Sequence, residues 1–146
     1  MKKRIDYSNA YYYGDVDLNG KEHGQGELHF QDGSYMFGEW VHGRRQGHFE
    51  FYNNRGHMYY KGDYDADRGY HGKGTFIFDN GVKIIGDFVN GKPVYGIMMW
   101  PDSGDICSGD MEDWHLVGEC ILKRGNGEMW QTNWVNGECH YVFRIK

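Results

Sequence analysis

Proline is almost missing from this 146-residue chain, with two residues, and leucine occurs only four times. A helical core is rich in leucine and poor in glycine, because glycine costs about 1 kcal/mol in a helix interior. Cysteine is also scarce. Three residues at irregular spacing exclude a disulfide framework and favour a reducing, cytoplasmic setting. No apolar run approaches the roughly 20 residues of a membrane-spanning helix, and the polar start from Met1 to Asn9 lacks the apolar core of a secretory signal. Basic charge is short as well. Sixteen Lys and Arg stand against 21 Asp and Glu, for a net charge of −5, so the broad basic footprint of a nucleic-acid binder is lacking. The clusters Lys2-Lys3-Arg4 and Arg44-Arg45 are short and isolated.

What the chain does have is 23 glycines and 17% aromatic residues, against an average glycine usage of roughly 7%. Aromatics alternating with glycines suit strands and tight turns. A short phrase recurs six times: Gly14-Asp15-Val16, Gly38-Glu39-Trp40, Gly62-Asp63-Tyr64, Gly86-Asp87-Phe88, Gly109-Asp110-Met111 and a worn Thr132-Asn133-Trp134, at steps of 24, 24, 24, 23 and 23 residues. Two residues before each copy stand Tyr12, Met36, Tyr60, Ile84, Cys107 and Trp130. Self-similarity at this period marks a repeat architecture whose units bury their apolar faces only by stacking. Such a protein presents an extended surface.

Each unit reads as a β-hairpin. In the second, Leu28 and Phe30 alternate with polar residues, Asp32-Gly33 supplies a turn, and Met36, Gly38 and Trp40 continue on one face of the returning strand. Asp79-Asn80-Gly81 and Pro101-Asp102-Ser103-Gly104 make equivalent turns, while Asn19-Gly20, Asn90-Gly91 and Asn136-Gly137 read as looser connections between hairpins. Phe49 and Phe51 are placed inward by alternation. The expectation is an all-β fold: about twelve strands in a single-layer antiparallel meander. That number exceeds the ~10 strands an open sheet carries without curling, so the sheet bends into a trough. Closing the hairpins symmetrically sets Val16 opposite Gly26, Gly14 opposite Leu28, Tyr12 opposite Phe30, Tyr64 opposite Gly74 and Phe88 opposite Gly96. Each mid-strand glycine then leaves room for a neighbouring ring.

The pattern Tyr12-x-Gly14-Asp15, then Gly20-x-x-x-Gly24-x-Gly26-x-Leu28-x-Phe30-x-Asp32-Gly33, resembles the MORN (membrane occupation and recognition nexus) repeat. The third copy, Tyr60 to Tyr64 with Gly72-Lys73-Gly74-Thr75-Phe76, matches as well as the first. The second, fourth and fifth copies depart through His48 or Phe49, Pro93-Val94-Tyr95 and Met111. The organisation is then an N-terminal tail over 1–10, a repeat domain over 11–137 and a C-terminal capping strand over 138–146. The resemblance implies scaffold or adaptor work: partner segments bound on an aromatic face, association with cytoskeletal or ciliary assemblies, or attachment to membrane surfaces.

No residue set reads as catalytic, metal-binding or cofactor-binding. His23 and His71 hold equivalent positions four strands apart, roughly 19 Å, too far to share an ion. Cys139 and His140 are adjacent, so they point to opposite faces. Cys107 and Cys120 share a face as diagonal neighbours about 7–8 Å apart. Two surfaces compete for a partner. The acids Asp15, Glu39, Asp63, Asp87 and Asp110 follow the repeat glycines and face away from the aromatics, as solubilising charge or as a dock for a basic partner. On the inner face Trp40, Tyr64, Phe76, Phe88, Trp100, Trp130 and Trp134 form the candidate protein-binding surface, with mutual packing as their alternative role. Trp100, flanked by Gly96 and Pro101, is the preferred anchor. Self-association through open sheet edges near Tyr11–Tyr13 and Tyr141–Ile145 is also expected.

Overall fold

A computed structural model describes all residues, 1–146. It contains strands and turns and no helix. In chain order the strands are β1 (Lys2–Asp6), β2 (Ala10–Val16), β3 (Glu22–Phe30), β4 (Tyr35–Val41), β5 (Arg44–Tyr52), β6 (Met58–Asp65), β7 (Gly69–Ile77), β8 (Lys83–Val89), β9 (Lys92–Trp100), β10 (Asp105–Glu112), β11 (His115–Leu116), β12 (Gly118–Lys123), β13 (Met129–Val135) and β14 (Glu138–Arg144). They form one open antiparallel sheet in sequence order, except that the short β11 pairs only with β10. Fourteen strands replace the twelve expected. The additions are β1, drawn from the polar start of the chain, and β11. Two compact units divide the chain, Met1–Gly72 and Lys73–Lys146.

In the first unit, β1 covers the edge of β2 by pairing Arg4 with Tyr13 and Asp6 with Tyr11, so the backbone around Tyr11–Tyr13 is not the open edge expected. The symmetric register is also corrected. Gly14 faces Gly26, Tyr12 faces Leu28 and Ala10 faces Phe30, a shift of two residues. The cause is a bulge. Between the Gly14–Gly26 and Val16–Glu22 pairs, β3 carries two more residues than β2. The same excess recurs in β5 between the Gly38–Phe49 and Trp40–Arg45 pairs. A bulge of this kind takes a residue out of the ladder and increases local twist. At Gly47, φ is 124° and an added Cβ would lie 2.4 Å from Glu39 Oε2, so backbone and space both select glycine there.

The repeat glycines therefore line up across strands: Gly14, Gly26 and Gly38 are successive partners, followed by Phe49 and Gly62. Rings fill this aisle diagonally. A Cβ on Gly26 would lie 2.1–2.3 Å from the Tyr12 ring. Tyr12 and Tyr60 are fully buried, and each hydroxyl donates to the carbonyl of the repeat acid three residues on, Asp15 and Asp63, at 2.6 Å. Trp40 packs edge-on against Tyr12 and Phe49, with centroids 5.3 and 5.6 Å away, and Tyr60 stacks on Tyr70 at 3.9 Å. Phe49 and Phe51 face inward as expected and are buried. Ring against ring takes the place of a second layer.

The second unit repeats the aisle with Gly86, Gly96 and Gly109. Phe88 does not face Gly96; a register shift after Asp87 sets it opposite Pro93. Ile84, Phe88, Cys107, Met111, Leu116, Cys120 and Leu122 are buried. Two of the three Asn-Gly connections are tight, while Asn19-Gly20 lies in the longer loop between β2 and β3. Asn90-Gly91 and Asn136-Gly137 are two-residue turns with positive φ at both positions, as is His42-Gly43 in the first unit. That is the type I′ geometry, whose twist matches the flanking strands. One turn breaks the sequence rule. Asp113-Trp114, between β10 and β11, has φ values of 47° and 69°, so a tryptophan stands where the other three turns have glycine.

Candidate partner-binding surface

The seven aromatic residues expected to meet a partner are divided between the units and differ in exposure. In the first unit Trp40 is 4% exposed and its Nε1–H donates to the Gly26 carbonyl at 3.3 Å; Tyr64 is half-buried against Phe49 and Phe51. In the second, Phe88 is 1% exposed, while Phe76, Trp100, Trp130 and Trp134 are half-buried. Phe76 and Phe88 both meet Trp114, at 4.8 and 6.0 Å. Trp130 packs edge-on against Tyr141 and donates its Nε1–H to Glu128 at 3.0 Å.

Trp100 and Trp134 are brought together although they lie on β9 and β13. Their rings are nearly parallel, 6° apart in plane, with centroids separated by 6.0 Å. Around them a cavity of about 420 Å³ opens, lined by Met98, Leu116, Leu122, Cys139 and Tyr141 together with Ser103, Asp105, His115 and Gly137. The position of Trp134 has a local cause. Its Nε1–H donates to Thr132 Oγ1 at 3.1 Å, and the Thr132 hydroxyl donates to the Cys120 carbonyl at 2.8 Å. Thr132 is fully buried and occupies the place of the repeat glycine. The worn sixth copy has exchanged the glycine for a residue that orients a tryptophan. Trp100, by contrast, donates its indole N–H to no group of the protein, whereas Trp40, Trp130 and Trp134 all do.

The cavity draws on the periodic frame of β9, β10 and β12 and on two features outside the period, the Asp113-Trp114 turn that delivers His115 and Leu116 and the Thr132–Trp134 pair. The repeat frame is matched by the MORN repeat family at residues 18–35, 37–48, 67–83 and 85–104. The chain carries MORN repeats. No curated protein is significantly similar to it in sequence. Among solved structures, it is similar to the SAS-4 (dCPAP) TCP domain of Drosophila melanogaster, in complex with a proline-rich motif of Ana2 (dSTIL), with 13% identity, 97% of this chain and 89% of that chain covered, and a TM-score of 0.46.

Trp100 falls inside the last matched MORN segment; Trp114, Thr132 and Trp134 fall beyond it. The alternation of Trp134 with Trp130 makes it legible as an inward residue. Trp114 carries no such signal, because it sits in a turn, and was not anticipated. The MORN acids take up local positions. Asp15 and Asp63 stand over Gly24 and Gly72 as Glu39 stands over Gly47, and Asp87 pairs with Lys73. The face opposite the aromatics is not uniformly acidic, since Ile85, Tyr95 and Ile97 are exposed there at 40%, 52% and 38%. Burial raises the thiol pKa values of Cys107, Cys120 and Cys139, that of Cys120 to about 12, which leaves them protonated and weakly nucleophilic at neutral pH. No three His, Cys, Asp or Glu side chains converge in metal-binding geometry.

Proposed function

We propose that this chain is a non-catalytic scaffold or adaptor module of the cytoplasm, its MORN-type repeat domain spanning residues 11–137, and that it holds a segment of a protein partner on its aromatic face. The observation that carries this reading is the cavity beside Trp100 and Trp134. An apolar lining with a few polar groups is the composition of a binding site, and tryptophan is the residue type most enriched at energetic hot spots. Trp100, half-buried and with its indole N–H uncommitted inside the protein, is the anchor. A helix or an extended segment laid across the face would insert an apolar side chain beside it.

The test begins with affinity capture from the native source, followed by titration of the identified partner. Trp100→Ala is expected to weaken binding by about 2 kcal/mol or more, roughly 30-fold, with the fold retained by circular dichroism. Reversing Asp15, Asp63 and Asp87 to Lys leaves affinity within about two-fold on this reading. If the charge reversal abolishes the complex and Trp100→Ala is tolerated, the aromatic face is not the site. One observation favours a lipid surface instead: Leu18, in the loop between β2 and β3, is fully exposed. A single leucine inserts for about 1.5–3 kcal/mol and lies next to Asp17. Sedimentation with anionic vesicles, compared between the parent chain and Leu18→Ser, separates that reading from the first.

A further inference from the structure

The cavity beside Trp100 has an electrostatic character that a purely apolar anchor would leave unused. Asp105 is the direct cross-strand partner of Trp100, on the same face, which places the two Cβ atoms about 5 Å apart. One carboxylate oxygen, Oδ1, accepts the Gly125 N–H at 2.9 Å. The group enters none of the salt bridges of the protein. No lysine or arginine lines the cavity, and Asp105 is its only carboxylate. The rest of the lining combines the rings of Trp100, Trp134 and Tyr141 with His115, Ser103, Gly137 and Cys139 and with three aliphatic side chains. The flat faces of indole and phenol rings carry the negative end of the ring quadrupole, and tryptophan attracts cations most strongly. Two nearly parallel indoles, Tyr141 and one carboxylate outside any salt bridge therefore make the lining electron-rich, beside the apolar side chains of Met98, Leu116 and Leu122.

From this arrangement we infer that the anchor received beside Trp100 is cationic: an alkylammonium or guanidinium group, as on a lysine, N-methylated lysine or arginine side chain of the partner segment. The inference rests on the reading of this cavity as the partner site and specifies its chemistry. The methylene stem of such a group covers the apolar side chains while the charged head lies against the indole faces within reach of Asp105. The net charge of −5 acts in the same direction on the approach of a basic segment.

The probes are choline and 3,3-dimethylbutan-1-ol, which share one shape and differ in carrying a quaternary nitrogen or a carbon. The full chain is titrated with each while the tryptophan indole N–H signals are followed by NMR. Choline is expected to shift the Trp100 and Trp134 signals, with the alcohol at least about five-fold weaker, the scale of a partly desolvated cation–π contact. Asp105→Asn keeps a carbonyl oxygen for the Gly125 N–H; it should lower choline affinity by about five-fold or more and leave the alcohol unchanged. Equal affinity for the two probes, an unaltered choline response in Asp105→Asn, or no response to either overturns the cationic assignment. Equal affinity leaves an apolar anchor in place, so the partner reading still stands or falls on Trp100→Ala.

Discussion

Gly26 and Gly20 show why two glycines of one repeat are not interchangeable. Gly20 has a φ of 80° and nothing within 4 Å of the position of a Cβ, whereas Gly26 has the Tyr12 ring at 2.1–2.3 Å. Alanine at Gly20 meets only the left-handed backbone cost, about 1–2 kcal/mol. At Gly26 it must displace a fully buried ring whose hydroxyl is tied to the Asp15 carbonyl, and it should cost about 3 kcal/mol, at the top of the overpacking range. Chemical denaturation of both variants checks the order. Equal losses would mean that the Tyr12 ring moves aside freely and that the glycine aisle is not a packing device.

Among the elements, the β10–β11 turn is the one whose sequence and geometry disagree. A bulky residue at positive φ is an outlier, with a cost of order 1–3 kcal/mol. Trp114 holds that conformation while its ring packs against Phe76, Phe78 and Phe88. Removing the ring of a packed tryptophan costs about 3–5 kcal/mol, more than the backbone would recover. Trp114→Gly is therefore expected to lower stability by about 2 kcal/mol, where the same exchange at an unpacked positive-φ site would raise it. Thermal unfolding decides, and a stabilised Trp114→Gly would show that the ring contributes nothing to the fold. Because the same turn delivers His115 and Leu116 to the cavity wall, the variant should also weaken choline binding at Trp100.

For the whole molecule, the abundance of tyrosine sets the alkaline limit of stability. Burial pushes the Tyr12 phenol up to about 12, and burial together with the Glu22 carboxylate does the same for Tyr7. The hydrogen bond to Glu50, followed by burial, brings Tyr52 to about 12, and burial raises Tyr60 and Tyr70 further. A phenol whose pKa is higher folded than unfolded favours the folded state in its neutral form. The stabilisation is complete below about pH 10, the ordinary value, and is lost as pH rises through 12. Near-ultraviolet titration should show Tyr7, Tyr12, Tyr52, Tyr60 and Tyr70 ionising well above pH 10, and the buried Tyr12 and Tyr60 only together with loss of the strand signal in circular dichroism. Ionisation of all twelve tyrosines in one step at pH 10, with no structural change, would contradict this.

Period and alternation were enough to determine the all-β meander, the MORN repeats and the inward set Tyr12, Met36, Trp40, Phe49, Phe51 and Tyr60, because side chains of an antiparallel strand alternate faces whatever lies beside them. They were not enough for the register. Counting residues pair by pair misses the bulges in β3 and β5, since a bulge depends on the φ that one glycine adopts beneath the acid of the neighbouring strand. Nor could they divide the aromatics by role. Trp40 and Trp100 occupy comparable inward positions in the sequence, yet one is closed over by Tyr12 and Phe49 and the other stands beside a cavity. That difference comes from residues outside the period: Trp114 held at positive φ in its turn, and Thr132 fixing Trp134 through one hydroxyl. A repeat pattern specifies what each strand does to its neighbours. Only the folded chain decides where a ring from one strand meets a ring three strands away in the sheet, because that meeting depends on the twist of every strand between them.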